Sequence, residues 1–197
     1  NKMLSLSPNM PLSAEANTVR LVGQLYSQIE NPRKALEMMI KWTDYAETLK
    51  PEDSYLFASL YYQIEDNANA LLNINEAVKN QEAAGKVPQE SWYILQRGLY
   101  FDKEDFKNGL PVLEKLIRHY PKAQYWKQLS QVYRMLNREK EALAALEVCY
   151  QMGGLTTERD LVNLSYMYLE AEVPYKAVKV LRKGIYTDKS IEPTAKN

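Results

Sequence analysis

A tyrosine recurs along this 197-residue chain at Tyr26, Tyr61, Tyr100, Tyr133 and Tyr168, with steps of 35, 39, 33 and 35 residues. A small residue follows each tyrosine nine positions later: Ala35, Ala70, Gly109, Ala142 and Ala177. Two markers that keep the same uneven steps point to an internal repeat, and a period of about 34 residues is the signature of stacked helix-turn-helix units. Such units pack mainly on their neighbours. The stretch Trp126 to Cys149 shows the unit most clearly. Trp126, Leu129 and Tyr133 fall on one helical face at spacings of three and four, and Ala142, Leu146 and Cys149 do the same on a second helix. Asn137-Arg138 forms the turn, and small Ser130 leaves room for the partner helix.

The other copies repeat the pattern. The first has Val22, Gly23, Tyr26, Ala35 and Met39; the second has Phe57, Ala58, Tyr61, Ala70, Ile74 and Ala77. The fifth has Leu161, Leu164, Ser165, Tyr168, Ala177 and Leu181. The third departs, because Gln96 and Arg97 stand where an apolar and a tiny residue belong. A shift by one gives Trp92, Leu95 and Leu99 instead, which leaves its register open.

On these residues the chain resembles the tetratricopeptide-repeat (TPR) family over roughly residues 14–190. The resemblance implies an all-α, right-handed superhelix of about five helix pairs. The copies are expected at 14–50, 51–89, 90–122, 123–157 and 158–191. Residues 1–13 read as an arm or linker, with Ser13 as N-cap of the first helix. Residues 192–197 read as the start of a further helix that is cut short, so self-association through uncapped ends is a further expectation. The chain begins at Asn1 without an initiator methionine and reads as a fragment or processed product.

Within the copies, helices are expected over 14–29, 32–49, 52–65, 67–82, 90–102, 105–120, 123–136, 138–151, 158–171 and 174–187. Pro32 and Pro174 suit first helical positions, where no amide donor is needed. Pro111 predicts a kink, or a start as late as Asn108. Gly153-Gly154 predicts a left-handed helix end, and Thr157 with Asp160 a capping box. Trp42 occupies a usual small-residue slot, so its pair either splays or buries the indole against the arm.

Charge narrows the function. Lys and Arg total 25 and Asp and Glu 25, which argues against nucleic acid, whose phosphates demand a basic stripe. No apolar run approaches the roughly 18 residues of a membrane span, so no direct insertion is expected. One cysteine allows no internal disulfide and leaves the compartment undetermined.

Catalysis finds little footing. His119, the only histidine, falls in a last helical turn, where an imidazolium meets the partial negative charge of the helix end. Cys149 fills a small-residue slot as buried thiols commonly do. A structural zinc site wants four ligands, and a glycine-rich phosphate loop is missing. Glu65-Asp66 and Glu104-Asp105 read as turn and cap residues. The expectation is a non-enzyme with no cofactor and no metal.

The expected activity is binding of a protein or peptide. The resemblance implies that the first helix of each pair lines a concave face. Positions one after, two before and six before each tyrosine then point into it. They are Arg20, Gln24 and Ser27; Tyr55, Ser59 and Tyr62; Ile94, Gly98 and Phe101; Lys127, Gln131 and Arg134; Val162, Tyr166 and Leu169. Tyr55, Tyr62 and Phe101 make the middle aromatic, with Lys127 and Arg134 as a basic spot, a mixture common in interface anchors. Chaperone cofactors of the family hold a C-terminal carboxylate with lysine and asparagine on the first groove helix. Here Arg20 and Gln24, Tyr55 and Ser59, and Ile94 and Gly98 stand at those positions, so that clamp is absent.

The run from Trp92 to Asn197 (WYILQRGLYFD, VLEKLIRHYPKAQYWKQLSQVY, VPYKAVKVLRKGI, PTAKN) looks like the TPR proteins that accompany TonB, ExbB and ExbD systems of Gram-negative bacteria. That resemblance implies a periplasmic accessory of an energy-transduction complex. A cytoplasmic assembly or co-chaperone-like factor without the carboxylate clamp is the alternative, and an enzyme or small-ligand binder ranks behind it.

Overall fold

The computed structural model describes residues 12–187 and Ile191. Residues 1–11 of the arm expected over 1–13, and the further helix expected at 192–197, lie outside the described residues; residues 12 and 13 belong to α1. The described residues form ten α-helices and one π-helical turn, with no strand among them. The helices are α1 (Leu12–Gln28), α2 (Pro32–Thr43), α3 (Pro51–Gln63), α4 (Asn67–Ala83), α5 (Glu90–Asp102), α6 (Phe106–His119), α7 (Ala123–Met135), α8 (Glu139–Gln151), α9 (Glu158–Glu170) and α10 (Pro174–Arg182). The chain divides into two compact units between Glu104 and Asp105.

The recurrent tyrosine explains why the turns are alike. Four residues after it stands Glu30, Glu65, Glu104, Asn137 or Glu172, each with φ between 55° and 65°. This left-handed residue ends the helix and lets the next amide fold back onto it. Asn31 N–H donates to Tyr26 C=O at 2.9 Å, Asp66 to Tyr61 at 2.9 Å, Arg138 to Tyr133 at 2.8 Å and Val173 to Tyr168 at 2.8 Å. In the first three copies the next residue then caps the second helix with its side chain. The side chains of Asn31, Asp66 and Asp105 accept the amides of Lys34, Asn69 and Asn108 at 3.3, 3.1 and 3.2 Å. The Asn69 side-chain amide and then its backbone N–H hold the Asp66 carboxyl below its usual range. Pro32 and Pro174 open α2 and α10 as expected.

In the first unit, α1 packs on α2, α3 on both α2 and α4, and α5 on α4. Gly23 permits the first contact, because a Cβ there would lie 3.1 Å from Met39 Sδ. Ala35, Ala58 and Ala70 are fully enclosed in the small slots. Trp42 does not splay its pair. Its indole is buried with Val19, Met39, Phe57 and Leu60, and the Arg20 guanidinium lies 4.8 Å above it.

The third copy keeps its tyrosine register without a shift. Trp92, Gln96 and Leu99 are buried, as Tyr125, Leu129 and Val132 are in the fourth copy, and Leu95 is only half-buried. Gln96 therefore occupies the slot of Leu129. Its Nε2 donates to Asn75 Oδ1 on α4 at 2.8 Å, and Asn75 also bonds the Tyr100 hydroxyl at 3.0 Å.

In the second unit, α6 packs on α7, α7 on α8, and α9 on both α8 and α10. Its core joins Ala142, Leu146, Cys149, Leu161, Leu164, Tyr168, Ala177 and Val180. Burial pushes the Cys149 thiol and the Tyr168 phenol up, the latter further raised by Glu147. Gly153, at φ +73°, ends α8 as expected. Gly154 serves differently: a Cβ there would sit 2.5 Å from that of Ala123.

Several boundaries differ from expectation. α1 starts at Leu12, so Ser13 lies inside its first turn rather than capping it. α2 stops at Thr43, not at 49. The Thr43 hydroxyl donates to Ile40 C=O, and beyond it Tyr45 turns back to donate to Glu15 at 3.1 Å. α6 starts at Phe106 and carries Pro111 inside, which rules out a start at Asn108. α10 gives way at Lys183 to a π-helical turn, Lys183–Thr187, where Gly184 lies against Ile191. Thr157 caps α9 at 3.2 Å, but the Asp160 carboxylate turns to Lys127 instead of closing the box.

Candidate interaction surfaces

The groove positions divide into those spent on packing and those left open. In the first unit, Arg20 Nη2 lies 2.6 Å from Asp53 Oδ1, and that aspartate is almost fully enclosed. Asp53 also accepts the Lys50 amide at 3.1 Å. Tyr55 stacks on Trp92 with centroids 5.1 Å apart and planes at 16°. Ser59 accepts from Gln63 at 3.4 Å. Phe101 is half-buried, with the Arg97 guanidinium 5.7 Å from its ring. Gln24 is exposed and Ser27 half-buried. Tyr62, 47% exposed, comes together with Ile94 and Gly98 in a cavity of about 350 Å³ between α3 and α5. Of the three aromatics expected to form the middle of the groove, only Tyr62 lines this opening.

In the second unit, Lys127 Nζ sits 2.7 Å from Asp160 Oδ1 and 2.8 Å from Oδ2, so its charge is neutralised. Gln131 and Arg134 are exposed and line a cavity of about 500 Å³ between α7 and α9. Ser130, Arg159, Asp160 and Asn163 complete its polar lining, with Thr157 at the mouth of α9. A second cavity of about 310 Å³ lies on the other flank of α9. Val162, Ser165, Tyr166 and Leu169 line it from α9, with Leu181, Ile185 and Ile191 opposite. Tyr166 is 62% exposed at its edge.

The geometry adds two residues that the sequence reasoning passed over. Arg159 and Asn163 stand nine and five positions before Tyr168, on the flank of α9 that faces α7. Only the positions one after, two before and six before each tyrosine were considered. Their i, i+4 spacing on one helix face was the available signal.

The arrangement suits non-covalent recognition: open, half-apolar clefts between the first helices of neighbouring copies, edged by amide and guanidinium groups. Among the described residues no group of three or more His, Cys, Asp and Glu could hold a metal ion. No helix among them is long and apolar enough to cross a membrane.

No protein-family model matches the chain, and no curated protein sequence does. Solved structures do. MamA from Desulfovibrio magneticus RS-1 is 16% identical and superposes at a TM-score of 0.63, covering 93% of this chain and 100% of that one. MamA AMB-1 is 11% identical at a TM-score of 0.67, covering 90% and 94%. YrrB, a TPR protein with an unusual peptide-binding site, is 16% identical at a TM-score of 0.63, covering 85% and 83%. At these identities the likeness is one of fold: this chain has the all-α fold of TPR proteins.

Proposed function

We propose that this protein is a non-enzymatic scaffold that binds an extended polypeptide along the first helices of its repeats. The observation that carries the proposal is the pair of clefts on α9, one lined by exposed Tyr166 and Leu169 and the other by Gln131, Arg134 and Arg159. Exposed aromatic and apolar groups edged by arginine are the usual anchors of an interface. The peptide-binding site named for YrrB supports the same reading by analogy of fold. Panning a displayed peptide library on the full chain tests it. Peptides should be enriched, and binding of those seated on α9 should fall at least tenfold with Tyr166→Asp. Failure to enrich any peptide sinks the proposal.

The finer proposal is an accessory of a TonB-type complex in the periplasm, supported by the wording of residues 92–197. Cross-linking in Gram-negative envelopes should recover ExbB, ExbD or TonB-like proteins. Recovery of cytosolic assembly intermediates instead would favour the cytoplasmic alternative.

A further inference from the structure

Two of the cavities lined by α9 differ sharply in chemistry. The one facing α7 has three cationic side chains in its wall, Lys127, Arg134 and Arg159, and a single carboxylate, Asp160. Lys127 and Asp160 close on each other through both carboxylate oxygens. Two guanidinium groups remain. The Arg159 side chain makes no hydrogen bond or ion pair among the described residues, and that of Arg134 reaches only Glu139, at 3.9 Å with both side chains more than half exposed. Among the described residues the Asn163 side-chain amide donates only to the Met167 sulfur, at 4.0 Å, and Gln131 is exposed. The opposite flank is almost wholly apolar, built on Tyr166, Leu169, Ile185 and Ile191.

We infer that α9 is a two-point reader: an acidic side chain of the bound peptide seats between Arg134 and Arg159, and an apolar side chain of the same peptide fills the cavity beside Tyr166. This rests on the peptide-binding reading and names what the peptide must carry. A guanidinium fork matches a carboxylate in two parallel hydrogen bonds, and the neighbouring amides can donate to the same oxygens. The clamp that grips a chain-terminal carboxylate is missing from the first three copies, so the acidic group is assigned to a side chain. Spacing follows from geometry. A helix with its side chains is about 10 Å across, and an extended chain advances about 3.3 Å per residue. The two anchors are therefore separated by about three residues.

Peptides enriched on the full chain should carry Asp or Glu roughly two to four residues from Leu, Ile, Phe or Tyr. Resynthesised with C-terminal amides, they should keep their affinity. Arg159→Gln, on an exposed side chain, should weaken them at least tenfold while leaving the far-UV melting curve unchanged, and glutamate-to-lysine exchange in the peptide should do the same. Enriched peptides without an acidic residue overturn the inference, as does an effect of Arg159→Gln below twofold. Loss of binding on amidation would move the anion to the chain terminus and overturn it as well. Peptides that map to Tyr62, Ile94 and Gly98 would remove this site while leaving the scaffold reading intact. An unenriched library would remove both.

Discussion

The contact between the first and second copies and the contact between the fourth and fifth use the same two slots. Arg20 and Lys127 stand six positions before their tyrosines, and Asp53 and Asp160 eight positions before the next. Both make ion pairs across 33 residues. They differ in burial: the Asp53 side chain is 3% exposed and that of Asp160 is 15%. Between the second and third copies the same slots hold Tyr55 and Trp92, stacked ring on ring. The repeat geometry thus fixes where two side chains meet and leaves their chemistry open. A position that looks like a binding residue by helical phase can be consumed by the joint between copies.

Breaking the more buried ion pair should have the largest effect. Arg20→Ala strands an enclosed carboxylate and should cost about 3 kcal/mol, whereas Lys127→Ala should cost about 1 kcal/mol because water reaches that pair. Urea unfolding of both variants checks this, and equal losses would erase the distinction drawn from burial. Replacing Arg20 and Asp53 together by leucine should cost less than Arg20→Ala alone.

The aromatic joint comes next. Tyr55→Ala removes a half-buried ring and its stacking and should cost about 2 kcal/mol, while Tyr55→Phe keeps both and should be nearly neutral. A large loss from Tyr55→Phe would mean that the hydroxyl, not the ring, holds the joint. Gln96→Leu should raise stability by about 1 kcal/mol, because the amide oxygen of Gln96 is buried without a hydrogen bond. Asn75 would keep the Tyr100 hydroxyl. The smallest effect is expected at the turn. Glu65→Gly relieves a side chain held at φ 65° and should add about 0.5 kcal/mol in thermal unfolding, the strain relief being partly offset by a freer unfolded chain.

Much of the fold was legible because tyrosine, small residue and turn recur together. The period placed all ten helices of the described residues, most within two residues. The exceptions have causes distant in sequence. The end of α2 depends on Tyr45 reaching Glu15, a contact 30 residues apart in sequence that periodicity does not encode. The register of α5 looked doubtful because a glutamine filled an apolar slot, and only the position of Asn75 makes that tolerable. The candidate surface was less legible. Helical phase marks which residues face the groove side, and Gln131, Arg134, Tyr166 and Leu169 do line clefts. It cannot show that Asp53, Trp92 and Asp160 arrive from the next copy to occupy Arg20, Tyr55 and Lys127. Arg159 was missed because it lines its cleft from the flank of α9 rather than from the face considered.

The central claim is that residues at the joints hold the repeats together while those between Gln131 and Leu169 meet the partner. Amide shift mapping of the full chain against an enriched peptide tests it most directly. The account predicts the largest shifts at Gln131, Arg134, Arg159, Asn163 and Tyr166, with Arg20 and Asp53 unmoved. Shifts concentrated on exposed residues of α8 and α10, such as Lys140 or Tyr175, would contradict it.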